Sequence, residues 1–126
     1  MSKKNKKILL VEDDKFIAEI YFHKLSESGF DVKLAEDGEL GIELFKEFDP
    51  DLVLLDIMLP KKNGWEVLRE ISALRKNQDG KKVIMLTNLG EKDKVDQAVE
   101  RGVDGYFVKS SLTPNDLLKI TQDALE

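Results

Sequence analysis

The chain has 126 residues, 41% of them hydrophobic and 36% charged, with a formal net charge of −5 and no cysteine. That length suits one well-covered core, the acidic balance argues against a general nucleic-acid binder, and the missing thiols exclude disulfides, thiolate zinc sites and cysteine nucleophiles. No apolar run approaches the roughly 20 residues of a membrane span, and the basic start MSKKNKK leads into too few apolar residues for a signal-peptide core, so a cytoplasmic protein with a solvated tail over residues 1–6 is expected.

In chain order, short apolar runs alternate with helical patterns. KILLV is strand-length, and Phe16, Ile17, Ile20, Tyr21 and Leu25 then form a helical stripe that Asp14 is placed to cap. Gly29 closes that helix before the strand DVKLA. Leu40, Leu44, Phe45 and Phe48 form a second stripe, which Asp49-Pro50 ends just before DLVLLD. Val67, Leu68, Ile71 and Leu74 follow, then KVIMLT, a shorter stripe of Val95, Ala98 and Val99, and the strand GYFVK. Thr113 caps the last helix, with Pro114 at its first position and Asp116 at the positive end of its dipole. Leu117, Ile120, Thr121 and Ala124 make its stripe, and all five stripes are expected to pack into the core. Several strands are apolar without alternation, as befits burial on both faces. The expected fold is α/β, a doubly wound five-stranded parallel sheet with helices on both faces.

Ligands of such sheets sit beyond the carboxyl ends of the strands. Those ends carry Glu12 and Asp13, Asp56, Thr87 and Lys109. Three crowded carboxylates either retain a proton or bind a cation. Oxygen donors with no His or Cys nearby favour Mg²⁺ over zinc. A carboxylate can itself attack phosphorus to give an acyl phosphate, with metal and lysine charge stabilising the equatorial oxygens. The hydroxyl of Thr87 suits a phosphoryl oxygen. His23, the only histidine, is expected to face solvent on the first helix, and Trp65 to be a packing or surface aromatic.

The stretches LLVEDD, LVLLDIMLPKKNGWEVL, VIMLTN and GVDGYFVKS resemble, in order and spacing, the receiver domains of two-component response regulators. The resemblance covers residues 7–126 and implies the flavodoxin-like, CheY-like strand order 2-1-3-4-5, with no effector domain following. It implies that Asp56 is the phosphoacceptor and that Mg²⁺ (or Mn²⁺ in its place) is held by Asp13 and Asp56, by the Met58 backbone carbonyl, and by Glu12 through a water. Lys109 then pairs with the phosphoryl group, Thr87 shifts toward it, and Tyr106 is the aromatic that turns inward. Pro60 and Gly64 match the loop after the acceptor, as restricted and permissive backbone positions.

Four positions depart from the common pattern or tune it. Ser110 stands where the family usually has proline, which leaves open whether the Lys109–Ser110 peptide is cis or trans. Asn88 replaces a small residue and either narrows the entry or adds a hydrogen bond. Met58 and Leu89 are apolar where polar groups often orient water, which predicts a long-lived phosphoryl group.

The resemblance further implies a phosphoryl donor that is a histidine kinase or phosphotransfer protein. It also implies a protein target on the face of the fourth helix, fifth strand and fifth helix, with neither nucleic acid nor membrane bound directly. The chain is expected to act as a stand-alone switch or relay, monomeric or dimerising on phosphorylation, and to catalyse only its own phosphorylation and dephosphorylation. A receiver excised from a longer regulator is the alternative. An aspartyl-phosphate phosphatase would need an acid where Met58 stands, and a flavodoxin-like carrier would need a hydroxyl-rich loop where VEDDK stands.

Overall fold

A strand covered on both faces needs apolar side chains at every position, because its alternate residues enter opposite layers. The computed structural model, which describes residues 5–74, 81–88, 96–98 and 100–126, has five strands. They are β1 (Lys7–Val11), β2 (Asp31–Ala35), β3 (Leu52–Leu55), β4 (Lys82–Thr87) and β5 (Gly105–Val108). Of these, β1, β3 and β4 meet that condition apart from an opening lysine in β1 and β4, while β2 exposes Asp31, Lys33 and Leu34 and β5 is half-buried. All pair in parallel, in the order β2-β1-β3-β4-β5. Leu9, Val11, Val53, Leu55, Val83 and Met85 point into one layer, against Ile42 and Phe45 of α2 (Gly38–Phe48) and Val67, Leu68 and Ile71 of α3 (Gly64–Leu74). Ile8, Leu10, Leu52, Leu54, Ile84 and Leu86 enter the other, against Tyr21 and Leu25 of α1 (Lys15–Glu27) and Leu117 of the C-terminal helix (Pro114–Ala124). Residues 96–98 and 100 are also helical, and Ala98 is buried in the first layer.

The capping residues behave as their chemistry requires. Asp14 Oδ1 accepts from the amides of Phe16 and Ile17 at 3.0 and 3.1 Å. Thr113 and Asp116 form a reciprocal capping box, each side chain accepting from the other's amide. Asp49 ends α2 in the left-handed region with φ 53°.

The stripes are wider than the surfaces they cover. Phe16 is 71% exposed and Ile20 40% exposed, contrary to their expected place in the core. The side of α1 that meets the sheet runs through Ala18, Tyr21 and Leu25, at i, i+3 and i+7. Phe16 and Ile20 lie off that line. Leu74 is likewise exposed at the end of α3. Val95 and Val99 of the fourth stripe lie outside the described residues.

Candidate functional site

The sheet register assembles the site. Val11 of β1 is level with Leu55 of β3, so Glu12 and Asp56 leave adjacent central strands side by side. The two are tied there by backbone, with the Glu12 amide donating to the Ala35 carbonyl at 2.9 Å and the Asp56 amide to the Val11 carbonyl at 3.1 Å. Thr87 ends β4 opposite Val108, and Lys109 is the next residue of the outer strand's chain. Glu12, Asp56, Thr87 and Lys109 are all buried, whereas Asp13 is exposed.

Lys109 reaches across the sheet ends to both buried acids. Its Nζ donates to Glu12 Oε1 at 2.7 Å and to Asp56 Oδ2 at 2.9 Å. Burial pushes the Glu12 carboxyl above its ordinary value, against the pull of the hydrogen bonds from Lys109 and the Asp14 amide. Burial alone would lower the Lys109 ammonium, but its bonds to Glu12 and Asp56 outweigh that and hold it above its ordinary value. The lysine is therefore a firmly protonated clamp between two carboxylates.

One oxygen from each of Glu12, Asp13 and Asp56 lies within 4.8 Å of the others. Three carboxylates, when ionised, set against the one ammonium that bonds two of them leave two negative charges (3 − 1 = 2). An all-oxygen donor set with that excess fits a hard dication such as Mg²⁺. The side chain of Met58 is 66% exposed and its amide stands 3.4 Å from Asp56 Oδ1. Tyr106 is half-buried and packs against the α2–α3 layer, as do Trp65 and Val103. Asn88, Lys109 and Ser110 line one groove between α1 and the start of the C-terminal helix. The described backbone has no cis peptide bond, so Lys109–Ser110 is trans, and Lys109–Ser111 makes a single 3-10 turn. Leu89 lies outside the described residues. His23 is exposed on α1.

Two expectations change. Gly64 is not needed for a permissive backbone, since its φ is not positive; the left-handed residue of that loop is Lys61, with φ 67°. Gly64 is needed because a Cβ would collide with the Asp56 carbonyl oxygen and stand 2.6 Å from Ile57 Cα. Its amide donates to the Ile57 carbonyl at 2.7 Å, which draws the start of α3 onto the end of β3. The second change is Tyr21, read from the sequence only as core. Its phenol lies within the electrostatic reach of Lys109 and Glu12. A hydroxyl in an otherwise pure hydrocarbon stripe was the available signal.

A parallel sheet of this order with an acidic, lysine-clamped end defines a class. A family model for the response regulator receiver domain matches residues 8–122, and the chain belongs to that family. It is 36% identical over 110 residues to the chemotaxis protein CheY of Halobacterium salinarum, covering 87% of this chain and 89% of that one. It is 42% identical over 103 residues to the transcriptional regulatory protein CusR of Escherichia coli, covering 82% of this chain but only 44% of CusR. Among solved structures, a CheY-like receiver domain protein from Methanospirillum hungatei superposes with a TM-score of 0.88 at 30% identity, over 97% of this chain and 94% of that one. Receiver domains of two-component systems bind Mg²⁺ at an acidic pocket of this kind.

Proposed function

We propose that Asp56 accepts a phosphoryl group from a histidine kinase or phosphotransfer protein, and that the new charge alters a surface read by a protein partner. An Asp56 carboxylate oxygen attacks the phosphorus of a phosphohistidine. The new P–O bond forms as the P–N bond breaks, and its electron pair stays on the imidazole nitrogen. Mg²⁺, held by Asp13 and Asp56, by the Met58 carbonyl and by Glu12 through a water, would neutralise charge on the group being transferred. The observation that carries this reading is the Lys109 ammonium, buried and 2.9 Å from Asp56 Oδ2. It needs to move little to meet an oxygen of the group attached there, which is electrostatic preorganisation. Thr87 donates its hydroxyl to another phosphoryl oxygen, and Tyr106 follows inward. The partner reads helical residues 96–98 and 100, β5 and the C-terminal helix, in the cytoplasm, and the chain turns over nothing but its own phosphoryl group.

The test is intact mass after incubation with acetyl phosphate and Mg²⁺. One phosphoryl adduct is expected, absent in Asp56→Asn; equal labelling of that variant would refute the assignment. If acetyl phosphate fails as donor, BeF3 with Mg²⁺ should shift the Trp65 emission of the wild type but not of Asp56→Asn. Neither Met58, with its apolar side chain turned to solvent, nor Leu89 can hydrogen-bond an attacking water. The phosphoryl group is accordingly expected to persist for minutes or longer in Mg²⁺, and decay within seconds would contradict that.

A further inference from the structure

A cleft of about 180 Å³ opens between α3 and the segment leading into β5, lined by Leu68, Arg69, Ser72 and Arg101. Among the described residues, no carboxylate stands in that lining and none pairs with either guanidinium. Glu70, the nearest acid in sequence to Arg69, is engaged by Lys62 at 2.7 Å. The Ser72 hydroxyl is buried without a hydrogen-bond partner, an arrangement that is costly unless a ligand or water completes it. The Arg101 guanidinium lies over the Trp65 ring, 5.1 Å from its centroid. A cation–π contact of this kind uses the ring face and leaves guanidinium N–H donors for another acceptor.

We propose that this cleft binds a phosphate oxyanion, free or as a monoester, at a site separate from Asp56. Arg69 and Arg101 supply charge-assisted donors, and the Ser72 hydroxyl supplies a third once its side chain rotates toward the cleft. Donors on three side chains match the three terminal oxygens of a phosphate monoester better than the two of a carboxylate. A cleft of that volume has room for the anion and the first atoms of a substituent. No bond forms or breaks there; the site holds the anion by charge and hydrogen bonds alone.

Trp65 is the only tryptophan, so its emission reports on the stacked arginine. The full chain, in EDTA and at constant ionic strength, is titrated with inorganic phosphate, phenyl phosphate and acetate. Calorimetry gives the same affinities for variants that disturb the indole. Saturable binding of phosphate is expected, with half-saturation raised about tenfold or more by Arg69→Gln. Smaller increases are expected for Ser72→Ala and for Arg101→Lys, which keeps the charge but loses the planar fork. Tighter binding of phenyl phosphate than of inorganic phosphate assigns the site to a monoester, and equal binding assigns it to free phosphate. A non-saturating response, acetate binding equal to phosphate, or an unchanged Arg69→Gln variant overturns the proposal. So does loss of phosphate binding in Asp56→Asn, which would place the anion at the carboxylate site.

Discussion

Taking two carboxylates and an ammonium out of water costs several kcal/mol per ion, and only close, well-directed bonds offset it. Glu12, Asp56 and Lys109 meet that condition at 2.7 and 2.9 Å. Lys109→Met keeps the aliphatic volume but leaves two buried acids without their cation. In EDTA it should lose about 3–5 kcal/mol of stability in urea unfolding, and added Mg²⁺ should restore part of that loss. A loss below about 1 kcal/mol would mean the ion pairs are solvated and weak. The identities of these residues were legible in LLVEDD, LVLLD and GYFVK, and so was the crowding of the carboxylates, but the bonds of the lysine to two of them were not. A lysine 97 positions from Glu12 finds it only because β5 follows β4 across the sheet. Seen from the sequence, Lys109 was a partner for the incoming group; in the folded chain it first bridges the acids.

Gly64 shows how an element is seated by what it lacks. The first residue of α3 touches the backbone of Asp56 and Ile57, so the helix start packs directly onto the acidic strand end. Gly64→Ala is expected to destabilise by about 1–3 kcal/mol through overpacking. It should also weaken Mg²⁺ binding measured by calorimetry, because the clash falls on Asp56 itself. A stable variant with unchanged metal affinity would show that the loop yields freely. Helix caps were readable beforehand, since Asp14 and Thr113 act through neighbours two and three residues away. The exposure of Phe16 and Ile20 was not, because periodicity reports an apolar face but not how much of it the sheet covers.

Tyr21 links the site to the stability of the whole chain. Burial raises its phenol above the ordinary value, opposed by the Lys109 ammonium and aided by the Glu12 carboxylate. A folded value above the unfolded one means the contribution is complete below about pH 10. It is lost as the pH rises through the folded value. Absorbance titration should therefore show a tyrosinate phase later than that of a free phenol, absent in Tyr21→Phe, and the variant should lose less stability at alkaline pH. Identical titration curves would contradict this.

The sequence by itself determined the strands, the caps Asp14 and Thr113, the parallel α/β class and the family, since each depends on local pattern or on motif spacing along the chain. The four buried polar residues at the strand ends were marked there too, as polar interruptions at the ends of apolar runs. Only the tertiary structure decided which of them touch. Register, set by pairing across β1, β3, β4 and β5, put Glu12 beside Asp56 and brought Lys109 to both. The same long-range packing laid Arg101 over Trp65 and left Ser72 without a partner. Hydrogen bonds and ion pairs depend on distance in space, which a linear pattern does not carry.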